Sequence, residues 1–222
     1  MSAPDFASRP QLAEDVARFV RRRIFDGTYA AGKYVRLDQL AAELGVSVTP
    51  VREALLELKG EGLLAQQPRR GFVVLPVTGR DLTDVSNVQA YIGGELAARA
   101  AANISAEQLR EVEKIQAELE VAYAGDDDET VVRLNHEFHR AINVAADSPK
   151  LAQLMSQITR YAPESVFPTI AGWPEQSNQH HRRVLAALEQ RNEKLARAAM
   201  SEHLAAGAEP LIAHLTTRGV VT

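Results

Sequence analysis

Four side chains in the second half of the sequence have the types and spacing of a metal site. Asn135 and His139 are four residues apart in a segment of helical periodicity, so they lie one turn apart on one face. His181 and His203 fall on the apolar stripes of two further helical segments and are expected to point inward. Three imidazoles and one amide oxygen suit zinc, nickel, copper or iron better than magnesium or calcium. The sequence therefore predicts a divalent transition metal, with zinc preferred over nickel or another ion, at Asn135, His139, His181 and His203.

Other interpretations of these histidines remain open at this stage. A single inward histidine is more often a core residue than a ligand, and it can also contact an effector directly. Three histidines around zinc could activate a water molecule for hydrolysis, but that reaction also needs a general base. Glu137 lies on the wrong face, and Glu202 is one residue off the stripe of His203. We therefore predict no catalytic residue and no enzyme, and we expect the ion to anchor an effector carboxylate or to be structural.

A second set of residues has the pattern of a DNA recognition helix with a basic wing. Such a helix needs short polar side chains near its N-terminus, a cation for guanine or phosphate, and an apolar back. Residues 47–55 supply all three, and Arg69 and Arg70 lie at a hairpin tip that could reach phosphate or the minor groove. Arg36 begins the preceding helix, where it could touch the DNA backbone. The predicted DNA contacts are Arg36, Ser47, Val48, Thr49, Pro50, Arg52, Arg69, Arg70 and Gly71.

The elements that position the DNA-contacting set form the pattern of a winged helix-turn-helix. Helical spacing of apolar residues predicts helices over 11–25, 37–44 and 49–61. Extended segments at 63–65 and 72–75, joined by a turn over 67–71, predict a β-hairpin wing. Ser47 or Thr49 is expected to cap the third helix, and Pro50 sits in its first turn, where a missing N–H costs little.

Beyond residue 80 the periodicity is helical and predicts an all-helical bundle. The predicted helices cover 81–102, 105–124, 128–146, 150–161, 176–190 and 192–215, with a loop over 163–174. The expected fold class is mainly α, with a winged helix-turn-helix domain at 1–76 and a small β-hairpin wing. A linker at 77–80 leads to an all-helical metal- and effector-binding domain at 81–222.

Composition agrees with two domains of different function. Among 222 residues of net charge −4, residues 1–78 carry 11 Lys and Arg against 9 Asp and Glu. Residues 79–222 carry 14 against 20, together with all six histidines. The absence of cysteine excludes a disulfide framework, a zinc ribbon and a thiol nucleophile. No apolar run reaches the ~18 residues of a membrane span and no signal peptide is visible, so we expect a cytoplasmic protein with no membrane partner.

The DNA-binding pattern resembles a known family. The run Leu40 to Leu55, LAAELGVSVTPVREAL, is followed by Leu58, Glu61-Gly62-Leu63 and Arg70-Gly71-Phe72-Val73. It resembles the N-terminal domain of the GntR family of bacterial transcription regulators, and the helical remainder resembles the FCD effector domain of the FadR-like branch. The resemblance implies a homodimer on a palindromic operator in double-stranded DNA, released or rearranged by a small organic acid effector.

The same resemblance bears on individual residues. It implies metal ligands at Asn135, His139, His181 and His203, with Asp common in the family where Asn135 stands. Arg is common where Val48 stands, and a valine offers only an apolar contact, for instance to a thymine methyl. The departure at Val48 therefore affects which operator sequence is read.

Three functions are compared on this basis. The sequence favours a ligand-responsive bacterial DNA-binding transcription regulator, acting as a repressor, whose helical bundle binds a divalent metal and a small organic acid. A regulator that senses the metal itself is the alternative, and DNA affinity that follows metal occupancy without an organic ligand would favour it. A helical-bundle metalloenzyme with a DNA-binding module is the third, and turnover of a carboxylate ester or amide would favour that one.

Overall fold

The N-terminal part of the chain combines helices with a small antiparallel sheet. The computed structural model describes residues 10–125, 127–161 and 164–221. The elements here are α1 (Pro10–Phe25), β1 (Tyr34–Val35), α2 (Leu37–Leu44), α3 (Val48–Gly60), β2 (Leu64–Gln67) and β3 (Gly71–Val74). The strand order is β1-β3-β2 with antiparallel pairing, and Gln67 pairs with Gly71 across the wing turn. The predicted winged helix-turn-helix is confirmed. The structure adds the strand β1, which was not predicted because two residues are too few to show a strand pattern in the sequence.

The start of α3 differs from the expected capping. Ser47 is the N-cap residue, but its side chain makes no capping hydrogen bond, so the predicted side-chain cap is wrong. An N-cap oxygen accepts from the N–H of the second or third helical residue. The third residue here is Pro50, which has no N–H, and its ring is buried. The proline that favours the first turn therefore removes one of the donors that a cap needs.

The rest of the chain confirms the predicted helical unit. Its elements are α4 (Gly79–Asn103), α5 (Ala106–Ala122), α6 (Asp128–Ala145), α7 (Pro149–Ile158), α8 (Trp173–Glu189), α9 (Glu193–Ala206) and α10 (Ala208–Thr217). Two 3₁₀ turns cover Thr159–Tyr161 and Glu164–Thr169, the second within the predicted loop. Pro163, at the start of that loop, lies outside the described residues. None of the described helices is long and apolar enough to cross a membrane.

The expected helix over 192–215 is interrupted at Gly207. A Cβ on Gly207 would lie 3.2 Å from ring atoms of both Phe167 and Trp173, so the aromatic rings approach the backbone closely at this point. Pro210 follows in the first turn of α10 and cannot donate to a carbonyl one turn earlier. The aromatic contact and the proline together explain why α9 and α10 are separate helices.

Helices α4 and α9 approach each other closely at Gly93 and Gly94. A Cβ on Gly93 would overlap the side chain of Leu204, and a Cβ on Gly94 would overlap the hydroxyl of Ser201. The Ser201 hydroxyl donates to the carbonyl of Ala90 at 2.8 Å. These contacts fix α9, which carries His203, directly against α4.

The described residues group into two compact units. The first unit comprises the described residues up to Thr78 together with residues 215–221, and the second comprises the described residues of Gly79–His214. Within the first unit, Val221 pairs with Val77 in a parallel bridge. The residues from Leu215 to Val221 thus group with the winged helix, and the domain limits of 1–76 and 81–222 stay a prediction.

Gly71→Ala is expected to destabilise the winged-helix unit strongly. Gly71 has φ +94°, and a Cβ there would lie 2.7 Å from the carbonyl oxygen of Val35. A non-glycine residue in such a conformation costs about 1–3 kcal/mol before any clash. Gly32→Ala is the matched control, because Gly32 has φ +84° with nothing within 4 Å of its Cβ position. Urea denaturation should show the larger loss of unfolding free energy for Gly71→Ala; equal losses would mean that the contact with Val35 adds nothing.

Candidate metal centre and nucleic-acid interface

Three imidazoles from three helices meet inside the helical unit. His203 Nε2 on α9 lies 3.2 Å from His139 Nε2 on α6 and 3.2 Å from His181 Nε2 on α8. All three donor atoms lie within 4.8 Å of one another. Zinc–nitrogen bonds of about 2.0–2.1 Å hold neighbouring tetrahedral ligand nitrogens at a similar separation. The donor chemistry and spacing therefore fit a transition-metal ion.

Burial keeps two of these imidazoles uncharged. His181 is 0% and His203 4% exposed, and desolvation lowers the pKa of both rings well below that of an ordinary histidine. Repulsion from the neighbouring imidazoles lowers the pKa of each further. Neutral imidazole is the form that binds a metal. At neutral pH the site thus presents unprotonated nitrogens.

The orientation of His181 is set by a hydrogen-bond chain that reaches the surface. His181 Nδ1 lies 2.7 Å from Gln116 Oε1. An amide oxygen only accepts, so Nδ1 carries the proton and Nε2 keeps its lone pair for the cluster. The Gln116 amide nitrogen donates to Asn178 Oδ1 at 3.0 Å and Glu120 Oε1 at 3.1 Å, which fixes which way the amide faces. Arg182 holds Glu120 by two hydrogen bonds of 2.8 Å and lowers its pKa.

Gln116 is not among the sequence-predicted site residues, although the sequence contains a signal for it. Gln116 is 3% exposed on α5, where Val112 and Leu119 are also buried four residues before it and three residues after it. A long polar side chain in an apolar stripe needs an internal partner. The sequence shows that such a partner is required, but not that the partner is a histidine 65 residues away.

A cavity of about 560 Å³ lies beside the cluster within the helical unit. His139 and His203 both line this cavity, and so does Asn135, one helical turn before His139. The structure therefore places Asn135 on the same wall as two of the histidines, and its role as a ligand stays a prediction. An ion bound at the cluster would face a space large enough for a small organic molecule.

The histidines that the sequence places outside the cluster have different surroundings. His136 is exposed and lies on the cavity wall. His180 is half-buried, with its ring 5.7 Å from that of His203, and desolvation lowers its pKa. Its Nδ1 is buried, as is Nδ1 of His203, and neither atom has a hydrogen-bond partner in the described part of the chain. Because His180 lies about 100° around α8 from His181, the helical pattern does not indicate that it lies close to the cluster.

The candidate DNA contacts all belong to the first unit and differ in exposure. Exposed side chains are those of Arg36, Ser47, Thr49, Arg52, Arg69 and Arg70, whereas Val48 and Gly71 are half-buried. Pro50 is buried, so its exposed neighbours provide the surface of α3. Leu56, one turn after Arg52, is 44% exposed on the same helix and is absent from the predicted set. The outer face of α3 is thus partly apolar.

Metal-free protein is expected to lose stability in mild acid because of the buried imidazoles. The folded-state pKa of His181 and of His203 lies below the value of about 6.5 that histidine has in an unfolded chain. Between those two values the unfolded chain binds protons that the folded chain does not, so the free energy of unfolding falls as the pH is lowered. In His203→Gln this slope should be smaller by up to about 1.4 kcal/mol per pH unit.

Urea denaturation of chelator-treated protein, followed by the fluorescence of Trp173, measures this pH dependence. Trp173 is the only tryptophan in the sequence, and its ring centroid is 6.1 Å from that of His203. Parallel stability curves for the wild type and His203→Gln between pH 8 and pH 5 would contradict the depressed pKa of His203.

Both units match known protein families. Residues 12–74 match the family described as "Bacterial regulatory proteins, gntR family", and residues 84–206 match the "FCD domain". A "Probable D-xylose utilization operon transcriptional repressor" of Paenarthrobacter nicotinovorans is 31% identical over 201 residues, which cover 90% of this chain and 88% of that protein.

Escherichia coli McbR is similar to this chain both in sequence and in structure. The "HTH-type transcriptional regulator McbR" of strain K12 is 27% identical over 195 residues, covering 86% of this chain and 88% of that protein. The solved structure of E. coli McbR/YncC has a TM-score of 0.71 at 25% identity, covering 94% of this chain and 98% of that one. These relatives are named as transcriptional regulators rather than as enzymes. The chain accordingly belongs to the GntR family of bacterial transcription regulators, in the FadR-like branch that carries an FCD domain.

Proposed function

We propose that this regulator is a ligand-responsive repressor whose FCD domain binds a divalent metal ion and a small organic acid. The observation that carries the proposal is the convergence of three imidazole nitrogens, two of them from histidines that line a cavity of about 560 Å³. His139, His181 and His203 would hold the ion, with Asn135 as a fourth ligand, and zinc is the preferred metal. The ion supplies a positive charge that a carboxylate in the cavity can neutralise.

The DNA-binding part of the proposal rests on the exposed face of α3 and the wing. Arg52 lies on that face, and Arg69 and Arg70 are exposed at the wing turn. One winged helix covers only a few base pairs, so tight and specific binding requires two of them. We therefore propose a cytoplasmic homodimer on a palindromic operator in double-stranded DNA.

Arg52→Ala is expected to weaken operator binding by about 1–3 kcal/mol, the usual cost of losing one base or phosphate contact. Arg18→Ala is the matched control, because Arg18 is an exposed arginine on α1 whose partners are Glu14 and Asp15. Both affinities would be measured by electrophoretic shift on an operator selected from genomic fragments. Unchanged affinity in a folded Arg52→Ala protein would remove α3 from the DNA interface.

Loss of one cluster histidine is expected to lower metal content. His139→Ala, His181→Ala and His203→Ala should each lose stoichiometric zinc, because the ion would be exposed to water and its other ligands would be imperfectly placed. Each should also lose the zinc-dependent rise in melting temperature, since an ion that binds only the folded chain stabilises it. Metal per chain would be measured by mass spectrometry at neutral pH.

The controls for the metal experiment are the other three histidines, as His136→Ala, His180→Ala and His214→Ala. These variants should keep the zinc content of the wild type. Gln116→Leu should lower zinc affinity by roughly 10–100-fold, the usual effect of losing the partner that orients a ligating histidine. Equal zinc content in the two histidine sets would mean that the cluster is a core feature or contacts the effector directly.

A further inference from the structure

We propose that the acid recognised by this FCD domain is a monocarboxylate with an extended chain of about eight carbons, and not a dicarboxylic acid. This inference rests on the proposed function, because the carboxylate is taken to bind beside the metal cluster. It goes further by inferring the polarity and the length of the ligand's chain from the part of the cavity wall that lies away from the cluster.

Most of the cavity wall away from the cluster is apolar. The side chains that form it include those of Leu82, Val85, Val131, Phe167, Trp173 and Leu211. Leu82, Val131 and Leu211 are each less than 5% exposed, so these side chains are part of the packed interior. Apolar ligand surface buried against such a wall gains free energy in proportion to its area.

The buried polar side chains of the wall already have protein partners. Ser86 donates its hydroxyl proton to the carbonyl of Leu204 at 2.9 Å. Gln89 donates from its amide nitrogen to the carbonyl of Ile158 at 3.0 Å. Each of these two side chains is 7% exposed. The Ser86 hydroxyl has thus used its only proton, and the Gln89 amide is held toward α7 with one N–H left for a ligand.

Charge in the wall also argues against a second carboxylate. Apart from histidine, the one cationic side chain in the described lining is Arg140, which is exposed and therefore screened by water. Asp147, also in the lining, is exposed as well, so its repulsion of an anion is screened in the same way. A second carboxylate placed among the buried valines and leucines would lose its hydration without gaining a partner. The histidine cluster is therefore the one place in the described lining where a carboxylate would find a buried binding site.

Helix α6 gives the length of the ligand. His139, Asn135 and Val132 all line the cavity from this helix. Val132 precedes His139 by seven residues, about two turns, which is roughly 10 Å along the axis at ~1.5 Å per residue. An extended octanoate chain with its carboxylate at the cluster reaches approximately to Val132.

Four probes of related shape test the proposal on the zinc-loaded, full-length protein. They are octanoate, butanoate, octanedioate and 1-octanol, and Trp173 on the cavity wall reports their binding by fluorescence. Each buried methylene is worth roughly three- to fourfold in affinity, so octanoate should bind at least ~20-fold more tightly than butanoate. Octanedioate and 1-octanol should each bind at least tenfold more weakly than octanoate.

A substitution at the far end of the ligand reverses the selectivity. Val132 is half-buried, so the stem of Val132→Arg can pack along the apolar wall and place a partly hydrated guanidinium near the distal carbon. We expect Val132→Arg to bind octanedioate more tightly than octanoate, whereas the size control Val132→Leu keeps the preference for octanoate.

The outcomes separate this inference from the proposed function. If octanedioate binds the wild type as tightly as octanoate, or butanoate does so, the apolar-body inference is overturned and the metal anchor stands. If 1-octanol binds as tightly as octanoate, and zinc removal changes neither affinity, the carboxylate anchor of the proposed function is overturned. The proposal holds when affinity depends both on zinc and on chain length.

Discussion

Three imidazole nitrogens that face one another in a buried site impose the constraint on which the helical unit depends. A protonated Nε2 can donate to one neighbour only, so hydrogen bonding within the cluster cannot satisfy three rings together. Adding a proton is costly as well, because burial lowers the pKa of His181 and His203. A cation satisfies all three lone pairs at once. The packing of α6, α8 and α9 thus brings together three lone pairs that the proposed metal ion would bind.

The side chains around the cluster hold the ring of His181 in one orientation. Phe138 stacks on His181 with ring centroids 4.0 Å apart and an interplanar angle of 9°. Gln116 holds the opposite nitrogen of the same ring, and Glu120 and Arg182 extend that contact to exposed surface. A ring clamped on its face and at one nitrogen has little rotational freedom left. The orientation of His181 is consequently fixed by protein contacts alone, which would lower the entropic cost of binding the proposed ion.

The sequence predicts what depends on periodicity and misses what depends on contacts between distant segments. Helical stripes place His139, His181 and His203 inward, and short apolar repeats predict α2 with the same bounds as observed. Gln116 is missed because its partner lies 65 residues away in sequence. The break at Gly207 is missed although Pro210 is a local signal for it, because the exact place of the break depends on the approach of Phe167 and Trp173.

The close packing of Gly93 and Gly94 on α9 has a mechanical consequence for the helical unit. Two helices whose backbones are in contact cannot slide or rotate independently, since protein interiors repack in steps rather than deform continuously. A Cβ on Gly94 would lie 3.1 Å from the carbonyl oxygen of Arg197 on α9, so a larger residue there would change the spacing between the two helices. His203 lies on α9, and the position of its imidazole relative to α4 therefore depends on two residues that have no side chain of their own.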